Sequence, residues 1–386
     1  VNEPAALLSH AAIRRGAPWL SNQGPHSDVV LSSRVRLARN LGAFAFLSRC
    51  SATDRTHILA ACRKHVVAAC QNLPPASPEH RVPPPTEDDP ARLLWVEVHR
   101  LSAVDRQLLA ERHLISKEHA KGAEPRAAAI TLPDERLSVM VNEEDHLRIQ
   151  VLHSGLALAD GYTLINEVDD RIESGLDYAF LPRFGYLTAC PTNVGIACRM
   201  SVMLHLPAVR LTGRIEQVRR AAKDMCLALR GFQGEGSESA GDLYQISNQT
   251  TFGKTEAVVM QELQEHIVPQ VIEFERRARH ELLSGSRRIQ TADQCWRALG
   301  LLRSARQVST EEALATLSLV RLGVHLGLFE DTSPGPAALP APAEPLISQL
   351  IVLTQPAHLQ RLAGRELSQQ ERRIARADLL RTALGG

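Results

Sequence analysis

Three apolar runs between residues 127 and 152 restrict the fold more than any other feature of this chain. Residues 127–132, 137–142 and 146–152 are separated by only four and three residues. Parallel neighbours would need a crossover of about a dozen residues, so the runs read as an antiparallel meander. The second run leads into Val141-Asn142-Glu143-Glu144-Asp145-His146-Leu147-Arg148. If that octapeptide stays extended, Glu144, His146 and Arg148 share one face. An Arg fork can hold phosphate oxygens and a Glu can accept a proton from a nucleophile, a pairing suited to phosphoryl transfer. A solvated turn between two strands is the bland alternative, and the octapeptide alone does not separate the two.

The rest of the chain adds to the first reading. Residues 28–31 form a short strand entering Ser32-Ser33-Arg34-Val35-Arg36, where Arg34 and Arg36 point the same way. Adjacent like charges are unfavourable unless an anion neutralises them, and apolar flanks favour that reading over an exposed basic edge strand. A helix is predicted over 54–71, a proline-rich linker over 74–90, a strand over 93–98, and a helix over 102–115 with Ser102 as its N-cap. That helix ends in Arg112-His113-Leu114-Ile115-Ser116, and His113 by itself reads as a surface histidine. A further helix is predicted over 166–181. Gly185, Pro191, Asn193 and Gly195 then mark a tight loop that exposes backbone N–H groups. Cys190 at its tip is either a reactive thiol or an inert buried one. Arg199 begins a strand, 215–229 reads as a helix, 230–238 as a glycine-rich lid, and 242–248 as a strand. Beyond about 254 the periodicity is helical over 255–284, 291–305, 309–325, 345–364 and 368–384, with a Pro/Ala-rich segment at 333–345. The expected class is α+β: an antiparallel sheet flanked by helices over 1–254, then an all-helical domain over 255–386.

Composition excludes several functions. With 386 residues, 23% charged and net charge +1, the chain suits a soluble two-domain protein and argues against a dedicated nucleic-acid binder. No apolar run approaches the roughly 20 residues of a membrane span, and no signal peptide is evident. Seven scattered cysteines without a CxxC pair suggest reduced thiols in the cytoplasm. Five of the 44 basic residues are Lys, so 39 are Arg and only an Arg inside a pattern carries weight. Walker A and protein-kinase patterns are absent. Arg34, Arg36, Arg148, Arg199 and Arg230 suit a triphosphate, and the isolated Glu144 and Glu235 suit a cationic second substrate. A guanidinium matches two carboxylates, one of which can take its proton as nitrogen attacks phosphorus. The chemistry points to ATP plus a guanidino nucleophile.

These segments resemble, in order, the signature of the guanidino kinases (phosphagen kinases). The match runs through Ser33-Arg34-Val35-Arg36, 142–148, 184–193, Arg199 and Arg230-Gly231-x-x-Gly234-Glu235. With 28–41, 112–116, 234–238, 245–249 and 353–360 added, nearly the whole chain is similar to the bacterial protein-arginine kinase family. The resemblance implies Mg²⁺–ATP-dependent phosphorylation of arginine side chains in proteins. It implies nucleotide contacts from Ser32, Ser33, Arg34, Val35, Arg36, His113 and Arg148. It extends them to Arg199, Met200, Ser201, Val202 and Met203, and to Arg230, Gly231, Phe232, Gln233, Gly234 and Glu235. Glu144 would be the catalytic base, Glu235 the second carboxylate, and Cys190 a thiol that tunes the site. It further implies protein substrates, an activator protein, a Clp-type protease that receives marked proteins in stress-related quality control, and a homodimer.

Two departures stand out. Where the family reads Asn-x-Gly-Thr-Gly-x-Arg, this chain has Ile196 and Ala197, and Ala tolerates positive φ poorly. Where the family carries an acid in an allosteric phosphoarginine motif, Arg373 stands between Arg372 and Arg376, which predicts an altered pocket or a plain solvated face. Only 31 residues precede Ser32, so a domain closing over a small substrate is not expected there, and an open site suited to a protein is. The alternatives are a kinase for free arginine or a related guanidino compound, and a catalytically weak adaptor that binds ATP or phosphoarginine.

Overall fold

The computed structural model describes residues 7–74, 91–231, 240–329 and 342–385. Outside the described residues lie 1–6, 75–90, 232–239, 330–341 and 386, which take in 75–90 of the proline-rich linker, 232–238 of the glycine-rich lid and 333–341 of the Pro/Ala-rich segment. Eight strands form one antiparallel sheet: β1 Val30–Arg39, β2 Arg92–Val96, β3 Ala127–Leu132, β4 Leu137–Val141, β5 Leu147–Ser154, β8 Cys198–His205, β9 Leu227–Gly231 and β10 Leu243–Asn248. β6 Phe180–Leu181 and β7 Gly185–Tyr186 make a separate hairpin. The sheet order is β2-β3-β4-β5-β1-β8-β10-β9, so the expected meander is present and the Arg34–Arg36 segment lies mid-sheet, not on an edge.

The helices are α1 His10–Arg15, α2 Ala52–Ala69, α3 Ala103–Glu111, α4 Lys117–Lys121, α5 Leu158–Glu173, α6 Pro207–Leu211, α7 Ile215–Asp224, α8 Glu256–Gln261, α9 Val268–Leu282, α10 Gly285–Ser304, α11 Thr310–His325, α12 Glu344–Leu353, α13 Pro356–Ala363 and α14 Gln369–Leu384. Alternation divides the sheet into two faces. Val35, Leu37, Ile149, Val151, Met200 and Val202 are buried in one core with Ile58 and Val66 of α2, Leu164 and Val168 of α5 and Ile272 of α9. The other face carries the polar members of the same strands. Part of it is covered by the C-terminal helices, where Leu314 and Ile351 pack with Leu31, Leu152, Met203 and Leu243. Helices α10, α11, α12 and α14 share a core of their own, including Leu299, Leu317, Leu350 and Leu380.

Several boundaries differ from the sequence expectation. The helix expected at 166–181 is α5, eight residues earlier. Its apolar positions Leu158, Leu164, Ile165, Val168 and Ile172 line one face, and the following chain is pulled straight by bonds from Ala179 N–H to Asn40 O (2.7 Å) and Gly42 N–H to Asp177 O (3.0 Å). The 215–229 helix stops at Asp224, because Cys226 turns with positive φ and 227–231 pairs with β10. Ser102 does cap α3, accepting from Asp105 N–H at 3.1 Å, but that helix ends at Glu111. The 345–364 helix is split at Gln355 into α12 and α13.

One buried ion pair anchors β1 to α5. Arg39 donates through Nε and Nη2 to Asp169 (3.0 and 2.6 Å), its guanidinium lies 3.6 Å from the Tyr186 ring centre, and the Tyr178 hydroxyl donates to the other Asp169 oxygen. Breaking a buried pair from one side strands the remaining charge. Asp169→Asn is therefore expected to cost about 3–5 kcal/mol. A urea melt should show a lower midpoint at unchanged slope.

Candidate active site

On the polar face of the sheet, register places the cations side by side. Arg36 lies opposite Gln150 on β5 and Arg199 on β8, Arg34 lies opposite Ser201, and Gln245 lies opposite Arg230. Side chains directly opposite on neighbouring strands stand ~5 Å apart at Cβ. Arg34, Arg36, Arg148, Arg199 and Arg230, with His113 and Lys117, line a cleft of about 290 Å³. Arg34 donates to the side-chain oxygen Oε1 of Gln245 (2.8 Å) and Arg199 to Oδ1 of Asn193 (3.0 Å). The Nε atoms of Arg36 and Arg199 are buried without a hydrogen-bond partner. Burial, then Arg34, Arg148 and Arg199, push the Arg36 pKa well below its usual value. Burial followed by Arg148 and Arg199 brings Arg34 to about 10. A surface that packs buried like charges and leaves donors unmade is shaped for a polyanion.

His113 closes one side of this cleft. Its ring stacks on Trp19 (centroids 4.8 Å apart, planes 20°), its φ is +60°, and its carbonyl accepts from the Gln150 amide. Burial, then Arg34, Lys117 and Arg36, lowers its pKa to about 3, so it is a neutral stacking surface at physiological pH and not the exposed histidine that its position alone suggested.

The octapeptide is not extended. Asn142 has φ +62° and its N–H donates to His146 O (2.9 Å), so 142–146 is the turn joining β4 to β5. Glu144, His146 and Arg148 therefore do not share a face. His146 is buried on the far side, accepting Leu41 N–H at Nδ1 (3.0 Å) and donating from Nε2 to Ala45 O (2.9 Å). Nor is the turn simply solvated. Asp145 is buried and accepts from Asn40 Nδ2 (2.6 Å) and Ala189 N–H (2.7 Å), which ties the turn to the Cys190 loop. The partner of Arg148 is Glu143, at 2.6 Å, which also accepts from Ser116. Burial would raise the Glu143 pKa, but Arg148 and Ser116 outweigh it and hold it at about 2. That leaves Glu144 exposed at the tip of the turn. It lines a small pocket with Arg36, Arg148, Asn193 and Arg199, and its pKa is raised by burial and by Asp145 beside it.

Cys190 is partly exposed, 3.0 Å from the Thr192 hydroxyl. Beyond it Gly195 has φ +115° and a Cβ there would meet Thr251 O, so only glycine fits. Ala197 has φ +49°, a left-handed position that costs an L-residue about 1–2 kcal/mol. The loop thus keeps the turn that its alanine disfavours.

Not every expected contact is available. Val35, Met200 and Val202 point into the core with α5, and Ser33 is buried between Gly155 O (2.8 Å) and Ala157 N–H (3.0 Å), so these side chains cannot line the cleft. Ser32 is buried on the cleft face, opposite Met203. Gly231 and Met203 line the cleft, whereas Phe232, Gln233, Gly234 and Glu235 lie outside the described residues. Arg376 is buried and donates to Thr354 O (2.7 Å) and Val308 O (2.9 Å), Arg372 donates to Leu367 O (2.7 Å), and Arg373 is exposed, so the three do not converge. The sequence reading also missed Lys117, Gln150, Gln245 and Asn193. Gln150 was within reach, because it follows Arg148 by two on the same strand face. A larger groove of about 710 Å³ between α7 and α9 is lined by Val218, Met225 and Phe274 among others, without a comparable cluster of like charge, so size does not mark the site.

Known proteins resemble this chain along most of its length. Residues 85–278 match the ATP:guanido phosphotransferase C-terminal catalytic domain, and 288–386 match the protein-arginine kinase McsB C-terminal domain. Proteins named protein-arginine kinase are 44% identical in Symbiobacterium thermophilum (98% of this chain, 98% of that one) and 41% in Halothermothrix orenii (95% and 96%). The one from Bacillus subtilis is 37% identical, over 95% of this chain and 93% of its own. Among solved structures, the duplicated taurocyamine kinase of Schistosoma mansoni with bound transition state analog components is similar at TM-score 0.53 and 25% identity, over 64% of this chain and 33% of that one. A lombricine kinase shares the fold at TM-score 0.52 and 21% identity, over 67% and 69%.

Proposed function

The chain belongs to the protein-arginine kinase family of the ATP:guanido phosphotransferases, and from that premise we propose that it transfers the γ-phosphoryl group of ATP to arginine side chains of proteins. The observation that carries the proposal is the meeting of five Arg side chains in one cleft, three of which (Arg36, Arg148 and Arg199) also line the small pocket that holds Glu144. The arginines take up triphosphate charge, including charge that develops on the transferring group. The target guanidinium approaches from the Glu144 side. Glu144 accepts a proton from its nitrogen as the N–P bond forms and the bond to the β-phosphate oxygen breaks, releasing ADP. A raised pKa brings a carboxylate closer to the operating pH, which suits a base. Glu235 is proposed as the second carboxylate on resemblance alone.

Mg²⁺ would accompany the nucleotide. Among the described residues no group of three His, Cys, Asp or Glu side chains could hold a metal, and Glu143 is committed to Arg148 and Ser116. An ion carried by the phosphates, with water completing its shell, fits that donor set. The proposal also carries, as family traits, an activator protein, a Clp-type protease that receives marked proteins in stress-related quality control, a homodimer and a cytoplasmic setting. Among the described residues no helix is long and apolar enough to cross a membrane.

The test is transfer from labelled ATP to an Arg-rich unfolded protein beside free L-arginine. An acid-labile label on the protein alone is expected. Label on free arginine would favour a small-molecule kinase, and no transfer to either would favour an adaptor.

A further inference from the structure

The back of the His113 turn touches the C-terminal helices. Glu111, the last residue of α3, accepts the N–H groups of Ala357 (2.9 and 3.1 Å) and His358 (3.1 Å) at the start of α13, and meets His358 Nδ1 at 3.1 Å. The next residue, Arg112, is fully buried. It grips Glu135 through Nε and Nη2, donates to Gly16 O, and lies 3.2 Å from His358 Nε2. A guanidinium only donates, so Nε2 must accept and the ring proton must sit on Nδ1, aimed at Glu111. His358 is accordingly held neutral, its pKa lowered by burial and by Arg112. The third residue is His113, on the cleft side. The Arg112 carbonyl accepts from Trp19 Nε1 at 3.1 Å, the same ring that stacks on His113.

These contacts answer a local cost. His113 sits at φ +60°, a conformation worth about 1–3 kcal/mol that persists only where its surroundings over-determine it. On one side Trp19 and Gln150 hold it. On the other, Glu111 and Arg112 are fixed by α13. Without α13 the buried Glu111 carboxylate would keep, among the described residues, only the Gln107 amide as a hydrogen-bond donor, at 3.4 Å. We infer that Glu111 and His358 are positioning residues for the nucleotide site, through which the seating of α13 on α3 sets the geometry of His113 and hence the affinity for ATP. This rests on the nucleotide reading of the cleft.

Full-length wild type, Glu111→Gln, His358→Ala and His358→Gln would be compared by equilibrium ATP binding and by steady-state kinetics. Glu111→Gln leaves an amide donor facing an N–H group whichever way it turns, and His358→Ala deletes both ring contacts while the backbone N–H bonds to Glu111 remain. Each should weaken ATP binding about tenfold, with kcat at saturating ATP within about twofold of wild type. His358→Gln retains an acceptor for Arg112 and should lose less. Reciprocity requires that ATP in turn slow amide exchange at Ala357 and His358 in the wild type. Equal affinities, no slowing, or a parallel fall of kcat and affinity with the folded fraction would each overturn the inference. A wild type that binds no ATP would sink the nucleotide reading itself.

Discussion

Replacing Glu144 with Gln should lower phosphoryl transfer by roughly 10²–10⁴-fold while ATP affinity stays within about twofold. Glu144 is the one acid of the β4–β5 turn whose carboxylate is uncommitted. Glu143 is spent on Arg148, Ser116 and the Glu144 N–H, and Asp145 on Asn40 and Ala189. Those two neighbours hold the turn rigidly against the sheet and the Cys190 loop, so Glu144 is delivered to the small pocket on a fixed support. Glutamine keeps shape and hydrogen bonding but cannot take the proton. The loss should therefore fall on kcat and not on nucleotide binding, since the triphosphate cations are untouched. The pH dependence carries a sign. Burial and Asp145 raise the Glu144 pKa, so its base form is lost at a higher pH than for an ordinary glutamate. The acid limb of kcat against pH should accordingly lie above the usual glutamate range and vanish in E144Q. A variant that keeps wild-type kcat would remove Glu144 from the chemistry.

Much of this arrangement is legible in the sequence where a period of two runs unbroken. β1, β3, β4, β5, β8 and β10 follow from alternation, and alternation also puts Arg34 and Arg36 on one face. The turn at 142–146 was one of two readings that the sequence left open, and its shape was not legible. Its acids gave the site away, but its shape depends on Asn142 entering the left-handed region and on bonds from Asp145 to residues about 105 and 44 positions away. β9 was missed because a short apolar run such as 225–229 satisfies helix and strand patterns equally, and only pairing with β10 decides it. Carrying a motif over as a block also assigned too much. Ser33, Val35, Met200 and Val202 lie within motif segments, yet the pleat turns them into the core. No local signal pairs 112–116 with 356–358, since that contact exists only once the C-terminal helices have docked.

The second large effect is expected at Arg36, and it has two signs. Arg36 sits at the centre of β1, opposite Arg199, and lines both the cleft and the Glu144 pocket. Its depressed pKa means that the fold disfavours its charged form relative to the unfolded chain. At any pH below the ordinary guanidinium pKa of the unfolded chain, neutral pH included, that shift subtracts from stability. Arg36→Met replaces the side chain with an apolar one and removes repulsion from Arg34, Arg148 and Arg199. The free protein should melt higher, by about 1 °C if the gain is of order 1 kcal/mol. Phosphoryl transfer should fall by about 10³-fold, because one of the donors facing the developing phosphate charge is gone. Ligand-induced stabilisation separates the two effects, since it grows with ligand concentration relative to Kd. ATP should raise the melting point of the wild type strongly and that of R36M weakly, although R36M starts higher. A protein whose polyanion site is built from repulsive charges is expected to trade stability for binding in this way. Were R36M to melt lower than wild type without ATP, the guanidinium would be holding the sheet together instead of waiting for a phosphate.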